Sequence, residues 1–406
     1  MTQLLLHNAR VILAGGVQHG GVLVRDRRIA HVFTDEKTPA GLSESESINL
    51  EDACLAPGLI DIHIHGSVGV DVQATDADGL DKLSNFLLDE GVTGYFATFV
   101  PTGERSYQEA HETIASYIER QNRSDSVKDQ PRGARILGIH FEGPFVSENR
   151  CGALLRKHFR VYEGDSRTLD LFAGPHSGGG PDSLQRLMTL APEIPGGLDL
   201  TRELTRRGLR AFIGHSQAEP EILDLAVEAG ARHITHFPNA LDPLHHRKPG
   251  AVAWGLVRDD VTLDCIADLH HVHPLMLRLM YRSKGADRMA LISDAIKPAG
   301  LGDGEFSVWG EKITVQNGRT ALARQPGEAT IAGSVITMRQ ALKNVVDLGV
   351  PIHEAVRMAS LVPARAAGLD SAHGSILEGN RADLIAFDDD FTVHLSVMEG
   401  LIKTNR

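Results

Sequence analysis

Cysteine is scarce in this 406-residue sequence, and the three that occur are Cys54, Cys151 and Cys265. They are odd in number, far apart and form no C-x-x-C motif, which argues against a disulfide framework and predicts reduced thiols. The first residues, Met1–His7, lack the basic start and the apolar run of a signal peptide. These absences together favour a cytoplasmic protein.

Excess positive charge and long apolar stretches are also missing. The formal net charge is −12 at pH 7, so no basic stripe is available for the phosphates of a nucleic acid. No apolar run approaches the roughly 20 residues that span a membrane. A small anionic substrate stays compatible, because one or two well-placed cations are enough to bind it. With 42% apolar and 23% charged residues, the composition is typical of a globular protein.

The sequence does contain a series of short apolar runs that end in residues able to bind a metal or exchange a proton. Such runs, separated by helical stretches, predict parallel strands. Functional residues at the carboxyl ends of these strands are typical of a (β/α)8 barrel enzyme. Six of the eight expected strands carry them: Leu55–Gly66, Ile139–Pro144, Phe212–Ser216, Ile234–Phe237, the segment reaching Asp268 and His271, and Met289–Asp294.

The two ends of the chain differ from its middle. Residues 1–56 and 373–406 have the pattern of short strands separated by turns, whereas residues 57–372 alternate strands with helical stretches such as Pro220–Glu228 and His273–Lys284. We therefore predict an α/β protein in which residues 57–372 form a TIM-like (β/α)8 barrel. A small β-sandwich domain formed from both termini would flank it.

Two strands of the predicted barrel present polar residues in pairs. His63 and His65 are two positions apart on the first strand, so both side chains face the barrel interior. His140 and Glu142 repeat this spacing on the third strand. A buried carboxylate among imidazoles is unfavourable without a cation, and a divalent metal supplies one. The alternative for the histidine pair is a structural role with hydrogen-bonded rings.

His215 and His236 end successive strands, and with Glu142 they make a His₂Glu set of the kind that holds a catalytic zinc ion. Asp294 ends the eighth strand, which lies beside the first once the barrel closes. It can therefore touch a metal held by the first strand and still reach a bound water, although a helix N-cap is its alternative role. His233 and His270 are expected to point away from the interior, His233 against helices.

Several motifs resemble those of the N-acetylglucosamine-6-phosphate deacetylase family of the amidohydrolase superfamily. They occur in the family's order between about Pro57 and Ser334, and an ordered set is a specific signal. The motifs are Pro57–Gly66, His140–Phe145, Leu190–Glu193, Gly214–Ser216, Thr235-His236 with Asn239-Ala240, Arg247–Gly250, Ile292–Ala295 and Ala332–Ser334.

The resemblance implies a metal-dependent deacetylase with one or two divalent ions per chain, zinc or iron. The principal ion would be held by Glu142, His215 and His236, and a second position would use His63, His65 and Asp294. Asp294 would also act as general base and then acid, and His271 would contact the substrate.

The family's substrate is a sugar phosphate, and its binding residues are implied in the same way. Asn239 and Ala240 would bind the sugar phosphate, and Ala153 would lie at the substrate. Arg247 would reach the phosphate from the neighbouring subunit of a homodimer.

The sugar-contacting motifs depart from the family pattern. Leu154 stands where a sugar-binding histidine is usual, Phe237-Pro238 replaces Leu-Phe or Leu-Tyr, and Leu269 replaces a glycine. We expect activity on N-acetylglucosamine 6-phosphate, with less discrimination against the galactosamine epimer than the family usually shows. His176, in the segment 162–185, is a candidate for replacing the missing contact.

Two other functions stay open at this stage. One is a different amidohydrolase, such as a dihydroorotase-like or D-aminoacylase-like enzyme, many of which bridge two metals with a carboxylated lysine from strand four. The fourth strand here, Leu187–Pro192, has no lysine. The other is a scaffold barrel without catalysis, which would be expected to have lost some of the ligands that this chain retains.

Overall fold

A computed structural model of the protein describes residues 3–34, 47–124, 133–173, 184–322 and 330–404. The strands in these ranges are β1 (Gln3–Leu13), β2 (Gly16–Arg25), β3 (Arg28–Thr34), β4 (Ser47–Asn49), β5 (Cys54–Pro57), β6 (Leu59–Ile64), β7 (Gly66–Ser67), β8 (Val70–Asp71), β9 (Val92–Phe99), β10 (Arg135–Glu142), β11 (Gln185–Leu190), β12 (Arg210–Ile213), β13 (His233–Ile234), β14 (Thr262–Ile266), β15 (Met289–Ile292), β16 (Gly304–Val308), β17 (Glu311–Gln316), β18 (Arg319–Leu322), β19 (Leu384–Phe387), β20 (Val393–Met398) and β21 (Leu401–Thr404).

The α-helices in the same ranges mostly follow barrel strands. They are α1 (Ala77–Asp89), α2 (Glu104–Ser124), α3 (Ser166–Ala173), α4 (Gly197–Arg206), α5 (Pro220–Glu228), α6 (Gly250–Val257), α7 (Pro274–Lys284), α8 (Met338–Asp347), α9 (Ile352–Ala359) and α10 (Leu361–Ala367). Their starts follow familiar rules: the Asp76 side chain caps α1, and proline begins α5 and α7. Among the described residues no helix is both long and apolar enough to cross a bilayer.

The barrel is a parallel sheet in the order β6, β9, β10, β11, β12, β13, β14, β15. It closes at the carboxyl ends of β15 and β6, where Ile64 and Ala295 form a parallel bridge and the Asp294 N–H donates to the His63 carbonyl at 2.9 Å. Tyr95 of β9 and Phe141 of β10 are completely buried because helices cover the outer face, where Tyr95 contacts Ser84 of α1 and Phe141 packs on Tyr107 of α2. The predicted barrel is confirmed.

Both ends of the chain join one sheet, in the order β21, β20, β19, β5, β1, β2, β3, with β4 paired to β1. The central contact joins the termini, since β19 runs antiparallel to β5 in the register Ile385 to Ala56. A hydrophobic core shared by the two ends includes Leu6, Val22 and Leu384. The predicted pairing of the termini is thus present, while the domain boundaries after residues 56 and 372 stay a prediction.

A three-stranded antiparallel sheet, β16–β18, is inserted between β15 and α8 and was not predicted. Its turns carry a sequence signal, because Trp309-Gly310 and Asn317-Gly318 both have positive φ, as two-residue hairpin turns require. Val308 and Ile313 of this sheet pack on Ile296, just beyond the end of β15. The insert therefore lies beside the mouth of the barrel.

Candidate active site

Three predicted metal ligands converge at the carboxyl ends of β10, β12 and β13. Oε1 of Glu142 lies 2.8 Å from Nε2 of His215 and 3.2 Å from Nε2 of His236. The two imidazole nitrogens are 3.0 Å apart. All three side chains are buried, so the set has the composition, geometry and shielding of a metal site.

The second predicted set lies on the other side of Glu142. Nε2 of His65 is 3.3 Å from Oε2 of Glu142 and 3.2 Å from Oδ1 of Asp294. Nε2 of His63 is 3.2 Å from that of His65 and 3.5 Å from Oδ1 of Asp294. Glu142 is therefore shared by both sets, with one oxygen directed to each.

The outer ring nitrogens orient two of these histidines. Nδ1 of His215 lies 2.7 Å from the carbonyl of Arg150, and Nδ1 of His65 lies 3.1 Å from that of Thr98. A carbonyl accepts only from an N–H, so Nδ1 carries a proton and Nε2 is the ring atom that faces the centre. Each ring thus presents the atom that a metal requires.

The charges in this pocket depend strongly on one another. Burial would raise the pKa of Glu142, but hydrogen bonds from His215 and His236 hold it well below the usual value. Burial lowers the pKa of His63 well below its ordinary value, with His140 adding to the effect. For His65 burial acts in the same direction, but the Asp294 and Glu142 carboxylates overcome it and raise the pKa to about 10. The pocket therefore attracts positive charge, which a divalent cation would supply.

Backbone geometry turns several site residues inward. His215, His236 and Asp294 have φ values of 47°, 34° and 47°, in the left-handed region that non-glycine residues seldom adopt. Each follows the last residue of its strand by two positions. Such conformations cost about 1–3 kcal/mol each and cluster at functional sites, where the surrounding structure enforces them.

His271 is held by an acidic partner at the edge of the pocket. Nδ1 of His271 lies 2.7 Å from Oδ2 of Asp268, whose other oxygen accepts the backbone N–H groups of His270 and His271. Burial would raise the pKa of Asp268, but the His271 hydrogen bond lowers it, so the carboxylate stays ionised. Nε2 of His271 is left to face the cavity. The positioning role of Asp268 was not predicted.

The metal ligands open into a cavity of about 250 Å³ at the barrel mouth. Most predicted substrate residues line it, namely Ala153, Asn239, Ala240 and His271. Arg247 does not: it lies exposed on the loop before α6, with Nη1 2.9 Å from Nε2 of His246. Leu154 lines the cavity, and His176 falls outside the described residues.

Trp309 of the inserted sheet also lines this cavity and was missed by the sequence analysis. Its ring lies edge-on to that of His65, with centroids 5.0 Å apart. It also packs with Phe159 against the buried cluster of Val100, Val146 and Leu154. Trp309 and Leu154 therefore form an apolar wall beside the polar metal pocket.

Two histidines differ from expectation. His140 shares a face with Glu142 but lies one layer deeper, where the Ile62 carbonyl and the Thr189 hydroxyl, each at 2.8 Å, occupy its ring nitrogens. His233 was expected against the helices, which is wrong. It is buried with Nε2 2.8 Å from Oδ2 of Asp264, because β13 ends at Ile234 and alternation does not continue to His236.

Convergent imidazoles and carboxylates at the carboxyl end of a TIM-like barrel, with a sheet from both termini, define a metal-dependent amidohydrolase. An amidohydrolase family model matches residues 209–404. The chain is 32% identical over 387 residues to the N-acetylglucosamine-6-phosphate deacetylase of Bacillus subtilis (strain 168), an alignment covering 95% of this chain and 93% of that protein. It belongs to the N-acetylglucosamine-6-phosphate deacetylase family and is a hydrolase of amide bonds.

Other relatives extend this comparison. The N-acetylgalactosamine-6-phosphate deacetylase of Escherichia coli O157:H7 is 34% identical over 360 residues, covering 88% of this chain and 90% of that protein. The N-acetylglucosamine-6-phosphate deacetylase structure from Thermotoga maritima has a TM-score of 0.85 at 31% identity, covering 99% of this chain and 100% of the other. A mutant of the Mycobacterium smegmatis enzyme in complex with N-acetyl-D-glucosamine-6-phosphate has the same TM-score at 28% identity, covering 100% of both chains.

Proposed function

We propose that this protein removes the acetyl group from N-acetylglucosamine 6-phosphate, giving glucosamine 6-phosphate and acetate. The observation that carries the proposal is the convergence of two metal-binding sets on Glu142, beside Asp294 and His271, in one cavity. Family membership supplies the substrate class. Many dihydroorotase-like sites bridge two metals with a carboxylated lysine from the fourth strand, and β11 contains no lysine.

The donor set fits one or two divalent ions, zinc or iron. Glu142, His215 and His236 would hold the principal ion, and His63, His65 and Asp294 would complete the second position. A cation held there would acidify water and polarise the amide carbonyl.

Side chains of the protein would then transfer the protons and stabilise the charge that develops on the substrate. A carboxylate oxygen of Asp294 would accept a proton from the attacking water and return it to the departing amine nitrogen, which is otherwise a poor leaving group. Nε2 of His271 can donate to the carbonyl oxygen only in the imidazolium form, because Nδ1 already donates to Asp268. In that form it would stabilise the negative charge that develops on the oxygen.

The sugar phosphate would be bound at the mouth of the cavity. Asn239 and Ala240 line it just after His236, and Ala153 lines it from the loop that follows β10. Arg247 is exposed outside this lining, which is compatible with reaching the phosphate in a neighbouring subunit of a homodimer. The unpaired thiols of Cys54, Cys151 and Cys265 agree with a cytoplasmic location.

The identity of the sugar is the part of the proposal that needs the sharpest test. Relatives acting on the glucosamine and galactosamine epimers are similarly close to this chain. Acetate release from both N-acetyl sugars, each with and without the 6-phosphate, should show hydrolysis of both phosphorylated epimers, fastest for the glucosamine compound. Inactivity of metal-replete protein on both phosphorylated sugars would refute the proposed substrate class.

A further inference from the structure

A second large cavity lies at the opposite end of the barrel from the metal pocket. Its volume is about 440 Å³, and it is formed where β12, β13 and β14 begin, with α10 beside them. Its polar lining includes three arginines, Arg210, Arg232 and Arg365, and the hydroxyl residues Thr205 and Thr262. The metal ligands follow the other ends of these strands, so the two cavities are separate.

The positive charge of this cavity is poorly neutralised. Within the described part of the chain, no carboxylate forms an ion pair with Arg210 or Arg232, although Asp370 and Asp260 attract them from a longer distance, and Arg365 has a long contact of 3.7 Å to Asp370. Asp260 also lines the cavity, but Nε and Nη2 of Arg258 hold its two oxygens at 2.8 and 2.9 Å. The charge balance at the cavity surface therefore favours an anion.

The arginines are positioned by the surrounding backbone. Nη1 of Arg232 donates to the carbonyl of Ala231 at 2.8 Å and also to that of Val227. Nη2 of Arg210 lies against the end of α10, 2.0 Å from where a Cβ of Gly368 would stand. Guanidinium groups held in this way bind phosphate oxygens through paired N–H donors with little further loss of freedom.

The cavity floor is connected to the catalytic end. His233 and Phe212 line the cavity with ring centroids 4.2 Å apart. Nε2 of His233 is hydrogen-bonded to Oδ2 of Asp264 at 2.8 Å, and Oδ1 of the same carboxylate accepts the backbone N–H of His236. Two hydrogen bonds thus join the floor of one cavity to a metal ligand of the other.

We propose that this arginine cavity is a second, non-catalytic site for a small phosphate-bearing anion, linked to the metal pocket through His233 and Asp264. Its volume accommodates free phosphate or the phosphate monoester of a hexose, since small-molecule sites commonly occupy about 300–1,000 Å³. The bound anion would contact Arg210 and Arg232 and lie over the His233 ring.

Calorimetric titration of the metal-replete protein with inorganic phosphate, at constant ionic strength, tests the site. The variant Arg210→Gln/Arg232→Gln should bind phosphate at this site at least about a hundredfold more weakly, since it loses two hydrogen bonds to a charged group and each contributes about ten- to a hundredfold. Arg202→Gln/Arg206→Gln removes the same charge from exposed positions on α4 and should bind like wild type. A parallel titration with glucose 6-phosphate distinguishes the free anion from a monoester as the preferred ligand.

Phosphate binding that is unchanged in the cavity variant, or that is weakened equally in the control variant, would overturn the proposal of a second site. The readout is independent of catalysis, so it does not depend on the proposed substrate. The link is tested by kcat at saturating substrate and in the presence of phosphate, where the cavity of the wild type is filled either by phosphate or by the substrate, which is itself a hexose phosphate monoester. The kcat of the cavity variant should then differ from the kcat of wild type and of the control, and equal kcat values in all three proteins would overturn the link.

Discussion

The metal pocket and the apolar wall of Leu154 and Trp309 share one cavity but are built differently. Ligands such as Glu142 and His215 are on barrel strands or within two residues of their ends, and hydrogen bonds fix their orientation. Leu154 and Trp309 belong instead to a loop and an inserted sheet, and they meet through apolar packing. A site carried on strands holds atoms to the precision that chemistry needs, whereas loops can change specificity without disturbing the barrel.

The largest effect is expected from removing the residue that both metal sets share. Glu142→Ala should empty or scramble both positions and abolish deacetylation, because the carboxylate directs one oxygen to each set. Metal analysis and acetate release measure the effect. Glu90→Ala, which removes a carboxylate paired with Arg339 outside the site, is the control and should keep its metal. Full metal occupancy in Glu142→Ala would refute the shared-ligand assignment.

Replacing the proposed base should separate chemistry from metal binding. Asp294→Asn is nearly isosteric but cannot take up the water proton, so kcat should fall by at least ~10²–10⁴-fold. Metal content should change much less, because Glu142, His215 and His236 are untouched. Near wild-type turnover in this variant would mean that another residue is the base.

Loss of Asp268 should act only through His271. Without the carboxylate, the imidazole loses the partner that holds Nδ1, and we expect kcat to fall about ten- to a hundredfold. A double-mutant cycle tests whether Asp268 acts through His271. Adding Asp268→Asn to His271→Ala should lower kcat no further. An additional loss in the double variant would show that Asp268 does something else.

Much of the metal pocket could be predicted from sequence because strand geometry is regular. The spacing of two residues placed His63 and His65 on one face, and the metal-binding groups contain both. The same rule could not tell that His140 lies a layer below the pocket, since residues on one face differ in depth. The rule also failed for His233, because β13 is only two residues long and the alternation of faces does not extend to His236.

The apolar wall was harder to predict for a different reason. The turns at Trp309-Gly310 and Asn317-Gly318 could have indicated hairpins, but their position over the barrel mouth depends on packing against Ile296 and Ala153. No local pattern contains that information. The role of Arg247 stays a prediction, because it depends on how two subunits meet and not on the pattern within one chain.

A subunit-mixing experiment addresses Arg247. If it completes the partner's phosphate site, Arg247→Ala and Asp294→Asn subunits should each be impaired alone. A mixed dimer would hold one site with its own Asp294 and a wild-type Arg247 from the partner, so about half of the wild-type activity per dimer should return. Absence of rescue in verified heterodimers would place Arg247 in its own subunit's site or outside catalysis.

The smallest predicted effect concerns the apolar wall itself. Leu154 is 3% exposed, lines the cavity and packs with Val100 and Val146, so it offers no hydrogen bond to a sugar hydroxyl. Leu154→His should restore such a bond and shift the preference between the glucosamine and galactosamine epimers by about ten- to a hundredfold at most. Leu154→Met keeps an apolar side chain and should leave the preference unchanged, while metal content should be wild type in both variants. A Leu154→His enzyme with normal metal content and unchanged epimer ratio would show that this wall does not select the sugar.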